Sequence, residues 1–258
     1  MVTTTDMKLA YECEDDAANT TVTDSFASND GTSSSNTSNL NTTGKNNDGF
    51  EMAGTYEIDS GVAQGGGAFS ISLWFTWDGV DSYNTLMGNG NSGSSAAFFV
   101  LMRNSNDKVE LIVYDGGSGQ IESTYSESIT VGDNAFHHLV LTYDGSTTWG
   151  MYVDGTAVTL ADSTGSYGGS ASNVKFGRSA TYPILDGKID EIYWYDRVLS
   201  SGDVSDLYNS GSGKFFPFSV SITVTPSTLT LTTSQPNDDI AILASPLNLG
   251  SELSVAVP

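Results

Sequence analysis

From about residue 50 to 195 apolar side chains recur at alternate positions in short runs, and each run is closed by Gly, Asn, Asp or Ser. A period of two belongs to a pleated strand, whose successive side chains point to opposite faces. The pattern predicts strands at 55–59, 69–77, 96–103, 108–115, 121–129, 136–144, 148–155, 174–178 and 188–196. Even spacing and short turns point to an all-β sandwich or jelly roll. Asp154-Gly155 is a two-residue hairpin signal, because a type I′ turn needs positive φ at both positions.

Charge limits the partners. The 258 residues include 9 Lys and Arg against 31 Asp and Glu, a net charge of −22. Nucleic acid is excluded as an expected partner, since phosphate binding needs clustered cations; an acidic balance suits solubility and divalent cations. Cys13 is the one cysteine, so no internal disulfide forms. The first residues lack a basic stretch followed by an apolar run, and no window reaches the ~20 apolar residues of a membrane span. The expectation is a chain without a classical leader and without membrane insertion.

Three segments depart from the strand pattern. Residues 15–48 hold almost no large apolar side chains and by composition alone read as a flexible arm. Residues 199–211 read as a short helix: Leu199, Val204, Leu207 and Tyr208 share a face, Ser200 and Asp203 have capping-box spacing, and Gly211 supplies the stop. Two turns cannot stand alone, so that face is expected to plug an open end or edge. Residues 214–258 alternate apolar with Thr and Ser between prolines. They are too few for a core of their own, and are expected to pack on a first domain (1–213) or pair with a neighbouring subunit.

Five stretches, in order, carry a resemblance. Residues 8–32 contain an opening strand and the loop "DSFASNDGT", and "GFEMAGTYEID" reads as a hairpin. "FSISLWFTW", "FHHLVLTYDGSTTWGMYVDGTAV" and "GKIDEIYWYDRVLSSGDVSDLY" complete the series, with Phe136 in a place where Trp is usual. Together they resemble the laminin G-like, pentraxin-like branch of the concanavalin A-like lectin/glucanase superfamily. The resemblance implies a two-sheet antiparallel jelly-roll sandwich with one short C-terminal helix, to which residues 214–258 add a small β-rich extension. It also implies that residues 15–48 are an ordered loop.

What the resemblance implies for chemistry is mostly binding. A structural calcium is expected between the N-terminal loop and the closing strand, on Asp24, Asn29, Gly31 and Asp190, with Asp30 as a substitute for Asn29. The competing reading makes Asp190 an acceptor of backbone N–H bonds. His137 and His138 are adjacent on a strand and point to opposite faces, so they cannot share a metal; one is expected buried, the other exposed. A glucanase-type signature has its closest match at Glu57-Ile58-Asp59, but Val62 stands where the second Glu belongs, and without it no acid protonates the leaving group. Tyr83, Tyr125, Tyr167 and Tyr182 lie in or beside Gly/Ser-rich loops, where rings can stack on sugars; Trp74 and Trp194 sit within strands. The expected function is a non-catalytic, lectin-like module that binds a glycan or cell-surface polymer. Its expected setting is a virion surface, as a phage head decoration or tail component docked to other assembly subunits through residues 214–258. The alternatives are a cellular extracellular adhesin or S-layer-associated module, and a glycoside hydrolase.

Overall fold

The structure, a computed structural model, describes residues 2–79, 83–90, 96–103, 108–115, 120–124, 131–161, 163–178 and 182–218. The described strands are β1 (Met7–Tyr11), β2 (Thr21–Val22), β3 (Gly31–Ser33), β4 (Asn41–Thr43), β5 (Asp48–Glu51), β6 (Ile58–Ala63), β7 (Phe69–Phe75) and β8 (Tyr83–Gly88). They continue with β9 (Ala96–Arg103), β10 (Lys108–Asp115), β11 (Gln120–Thr124), β12 (His137–Tyr143), β13 (Trp149–Val153), β14 (Thr156–Ala157), β15 (Asn173–Phe176) and β16 (Lys188–Tyr195). A single α-helix among the described residues, α1 (Ser201–Tyr208), follows the last strand.

Two antiparallel sheets result. The first runs β14-β13-β12-β7-β16-β5-β4, with β1 also paired to β16; the second runs β11-β10-β9-β8-β15-β6-β3-β2. Alternation sorts every strand between an inner and an outer face. Ile71, Leu73, Phe75, Leu139 and Leu141 of the first sheet meet Phe98, Val100, Met102, Leu111 and Val113 of the second in one buried core. Phe69 sits at its aromatic centre, 5.4 Å from Phe98 and 5.9 Å from both Tyr143 and Trp149. The jelly-roll sandwich is therefore the fold.

Where the structure differs from the sequence pattern, the cause is local. The 136–144 and 148–155 runs shorten to β12 and β13, and the hairpin between β13 and β14 turns at Asp154 (φ 49°) and Gly155 (φ 71°), as its sequence requires. Of residues 55–59, Thr55 ends a turn, Tyr56 and Glu57 are irregular, and the strand begins at Ile58. Residues 125–129 of the predicted 121–129 strand lie outside the described residues, as do residues 219–258 of the expected C-terminal extension.

Residues 15–48 are not a flexible arm. Val22, Thr37 and Leu40 are fully buried, and short polar side chains hold the rest. The Asp15 carboxylate accepts from Thr23 N and Oγ1 at 2.9 and 2.6 Å. Thr37 Oγ1 accepts from Ala17 N at 3.1 Å and donates to Ala17 O at 3.2 Å. Composition misreads such a loop because its order rests on hydrogen bonds rather than on apolar area.

The helix starts as expected, with Ser200 and Asp203 forming a reciprocal capping box, but it ends at Asn209 in the left-handed conformation rather than at Gly211. It covers a sheet face, not an edge. Val204 and Leu207 pack with Val140, Tyr193, Tyr195, Phe216 and Phe218, and β12 and β16 lie within the first sheet, not at its rim. Its outer face carries apolar residues at these positions and needs a cover, which the helix and residues 216–218 provide.

Candidate functional site

With the first sheet capped by α1, the outer face of the second sheet draws attention. On β9 and β10, Ala97, Phe99, Leu101, Ile112 and Tyr114 point away from the main core and form a separate cluster with Tyr83 and Tyr182. Phe99 is the hub: its ring lies 5.6 Å from Tyr182 and 6.1 Å from Tyr114, both edge-to-face. Tyr83 and Tyr182 lie 6.2 Å apart. Phe99 and Leu101 are fully buried, whereas Tyr83 and Tyr182 are half-buried and form the accessible part of the layer.

Backbone pairing fixes this geometry. Thr85 N donates to Pro183 O at 2.9 Å and Thr85 bridges to Ile184, which lays the segment carrying Tyr182 along β8. A Cβ on Gly88 would stand 2.6 Å from Phe99 Cδ1 and 2.7 Å from Phe98 O, so only glycine lets the Phe99 ring approach β8 so closely. At the end of the layer Tyr83, Arg103 and Lys108 are directly paired across three strands. The Arg103 guanidinium sits 5.5 Å from the Tyr83 ring centroid and 3.6 Å from Glu110.

Of the four tyrosines singled out in the sequence, Tyr83 and Tyr182 come together here. Tyr125 lies outside the described residues. Tyr167, expected in an exposed loop, is a core residue: its hydroxyl donates to Gln64 O at 3.2 Å and accepts from Asn89 Nδ2 at 2.6 Å. Burial pushes that hydroxyl up to about 12. The nearby glycines serve close backbone approach, not exposure, since a Cβ on Gly169 would stand 2.5 Å from the Gly65 carbonyl carbon. Arg103 and Lys108 were not nominated, although the sequence "RNSNDK" places two cations at the facing ends of two predicted strands.

The expected calcium ligands form two hydrogen-bonded hubs. The Asp24 carboxylate accepts from the backbone N–H groups of Ala10, Phe26 and Asn29 at 2.9–3.0 Å. Asn29 O accepts from the Tyr11 hydroxyl at 2.6 Å, and Gly31 pairs with Val22. Asp190, fully buried, accepts from Lys45 N, Asn46 N and Glu191 N at 2.7, 3.0 and 2.8 Å. Calcium needs six to eight oxygens, and these carboxylates face N–H donors that already satisfy them. Among the described residues no three His, Cys, Asp or Glu side chains gather to hold a metal. Asp24 and Asp190 thus each hold backbone donors, in two separate hydrogen-bonded clusters.

Two carboxyls have enzyme-like titration but no access. Burial, then the neighbouring Glu191 charge, pushes Asp190 up to about 8; burial pushes Glu191 up to about 7, against hydrogen bonds from Tyr193 and Asn46. Both are fully buried. Glu57 and Asp59 belong to another surface network, with Lys175 Nζ 2.7 Å from Glu57 and 3.5 Å from Asp59, and Arg178 2.9 Å from Glu57.

The two histidines do face apart, but neither is exposed. His138 lies against Trp74 and Tyr208, bonds to Ser72 Oγ at 2.8 Å, and is held down to about 3 by burial. His137 bridges Asp154 at 2.7 Å and Asp133 at 3.0 Å. Burial opposes its protonation, yet the bonds to Asp154 and Asp133 outweigh it and raise its pKa above 6.5. A raised histidine pKa stabilises the fold fully below the unfolded value and ceases to do so as pH rises through the folded value. His137→Gln is thus expected to cost about 1 kcal/mol more at mildly acidic than at alkaline pH, read by thermal melts across that range.

Comparison with known proteins follows this geometry. A laminin G model described as concanavalin A-like lectin/glucanases superfamily matches residues 52–205. No curated protein matches the chain. Among solved structures, domain 4 of AbnA, a GH43 extracellular arabinanase from Geobacillus stearothermophilus in complex with arabinotriose, is similar with a TM-score of 0.59 and 17% identity, over 78% of this chain and 97% of that one. Trypanosoma rangeli sialidase gives a TM-score of 0.58 and 16% identity over 81% of this chain but 33% of its own. The binding domain of Paraclostridial Mosquitocidal Protein 1 gives 0.50 and 14%, over 66% and 45%. At these identities the likeness is one of fold.

Proposed function

This chain belongs to the concanavalin A-like lectin/glucanases superfamily, and on that premise we propose that it is a non-catalytic module that binds a glycan on the outer face of the second sheet. The observation that carries the proposal is the pairing of two half-buried tyrosines, Tyr83 and Tyr182, over a buried Phe99. Rings held from beneath offer flat apolar surface to a sugar at little entropic cost. The arabinotriose complex of the similar arabinanase domain supports a saccharide as ligand.

Absence of catalysis is part of the same reading. Glycoside hydrolysis requires two carboxyls, one kept protonated. Near the aromatic layer Glu110 is almost wholly buried, 3.6 Å from the Arg103 guanidinium. The carboxyls that hold protons near neutrality, Asp190 and Glu191, are sealed inside.

We place the module on a surface, as a virion decoration or tail component. The alternation of apolar with Thr and Ser residues in 219–258 supports attachment to other subunits by strand pairing, with the saccharide-binding face left outward. No described helix is long and apolar enough to cross a membrane.

The test is a titration of neutral and acidic oligosaccharides against the full chain, with reducing-sugar release measured in parallel. We expect binding without release, and Tyr182→Ala to weaken it at least about tenfold, the loss for one stacked ring. Release of reducing sugar, or binding indifferent to Tyr182→Ala, would contradict the proposal.

A further inference from the structure

His137 sits between two carboxylates. Its Nδ1 lies 2.7 Å from Asp154 Oδ2 and its Nε2 lies 3.0 Å from Asp133 Oδ1. A neutral imidazole carries one N–H and presents a lone pair at the other nitrogen. A carboxylate at each nitrogen is therefore the geometry of a charged ring, with two N–H donors and an acceptor for both. The charges that act on the ring are those of Asp154 and Asp133. Across from it β7 offers only the Phe75 ring, 6.0 Å away, and His138, the next residue, faces the opposite side of β12. From α1, Tyr208 packs on Gly155, and its hydroxyl is raised by burial and then by the Asp154 charge.

The two carboxylates are held unequally. Asp154 lies in the turn between β13 and β14, where its Oδ1 accepts from His138 N at 2.9 Å and its own N–H donates to His138 O at 2.8 Å. Its side chain is 22% exposed, against 53% for Asp133. Asp133 lies in the crossover that carries the chain from β11, at the rim of the second sheet, to β12 within the first. There its Oδ1 also accepts from Ala135 N at 2.9 Å, while Asn134 N donates to Trp77 O at 2.8 Å. The crossover is thus tied to β12 from its solvent side by one side-chain contact, Asp133 to His137.

We infer that His137 is a pH-operated clamp, which holds residues 133–135 of the crossover on the first sheet when charged and releases them when neutral. On loss of a proton the remaining N–H stays with Asp154, the shorter and less exposed contact, which His138 N also fixes. The Nε2 lone pair then faces the Asp133 carboxylate, and the repulsion turns Asp133 out to water together with the acceptor of Ala135 N. Burial opposes the charged ring, but the bonds to Asp154 and Asp133 outweigh it and set the ring's pKa above its ordinary 6.5. A raised histidine pKa keeps the clamp closed below the folded value and opens it as pH rises through that value. The inference is independent of glycan binding.

The experiment follows the full chain from about pH 6 to about pH 9. The ring protons of its 2 histidines are titrated by NMR, and amide hydrogen exchange of residues 131–136 is measured at each pH and corrected for the chemical exchange rate. Protection of that segment should fall about tenfold, the worth of one charge-assisted hydrogen bond, with a midpoint that coincides with the titration of His137. Residues 69–75 of β7 should stay protected throughout. Asp133→Asn keeps an acceptor for Ala135 N but has no charge to repel the lone pair, so it should remove the pH dependence and leave the fold intact. Exchange that follows the chemical rate alone, a midpoint apart from that of His137, or a pH dependence that survives Asp133→Asn overturns the inference. Parallel loss of protection in β7 would mean global unfolding and overturns it as well.

Discussion

Asp190→Ala should lower stability by about 3 kcal/mol, the cost of leaving buried N–H groups without an acceptor. The side chain is fully buried and takes the backbone N–H groups of Lys45, Asn46 and Glu191. It thereby ties the turn between β4 and β5 to the closing strand. A Cβ on Gly44 would stand 2.6 Å from Asp190 Oδ2, which shows how closely the turn is drawn in.

The effect should depend on pH in an unusual direction. Folded Asp190, pushed up to about 8 by burial and Glu191, keeps a proton that the unfolded chain releases near 3.8. Where the folded state binds more protons, stability falls as pH rises, so the Asp190–Glu191 pair should weaken the fold between about pH 4 and 8. Wild type should therefore melt at a lower temperature near pH 8 than near pH 5, and Asp190→Ala should flatten that slope. Thermal melts with calcium and after chelation should coincide in both proteins, since the carboxylate serves backbone donors. A calcium-dependent rise in wild type that Asp190→Ala removes would instead restore the metal-binding role.

Gly88→Ala should cost about 3 kcal/mol, at the upper end for overpacking, and should abolish saccharide binding in whatever fraction remains folded. Its Cβ would meet both the Phe99 ring and the Phe98 carbonyl. The carbonyl is ladder backbone and cannot withdraw, so the Phe99 ring must move, and Tyr182 and Tyr114 rest on that ring. Urea denaturation gives the first effect and titration the second. Undiminished binding at normal stability would mean that Phe99 does not organise the layer.

β9 and β10 were legible to the residue because each is a run of buried side chains, apolar except for Glu110 in β10. Alternation missed β8, where Asn84 and Thr85 are buried but polar and Gly88 has no side chain. Those substitutions make sense only once Asn84 Oδ1 is seen to accept from Asp186 N at 2.7 Å. The capping box was readable because its contacts are local in sequence, whereas the helix's seat on the face of the first sheet depends on Val140, Tyr193 and Tyr195, which the fold brings together from two separate strands.

The candidate site was half legible. Loop context found Tyr83 and Tyr182, yet the same rule misplaced Tyr167, because Gly-rich sequence marks close backbone packing as well as exposed turns. The Arg103–Lys108 rung went unread because cross-strand register is set by tertiary pairing, and only with the register known does a pair of cations become a pair on one face.

Glycan binding on the second sheet is tested most directly by hydroxyl-radical footprinting of the full chain with and without a saturating oligosaccharide that it binds. Tyr83 and Tyr182 should be protected, while Tyr152 and Tyr208, associated with the first sheet and its helix, should react as before. Protection at Tyr152 or Tyr208, with Tyr83 and Tyr182 unchanged, would contradict this placement of the site.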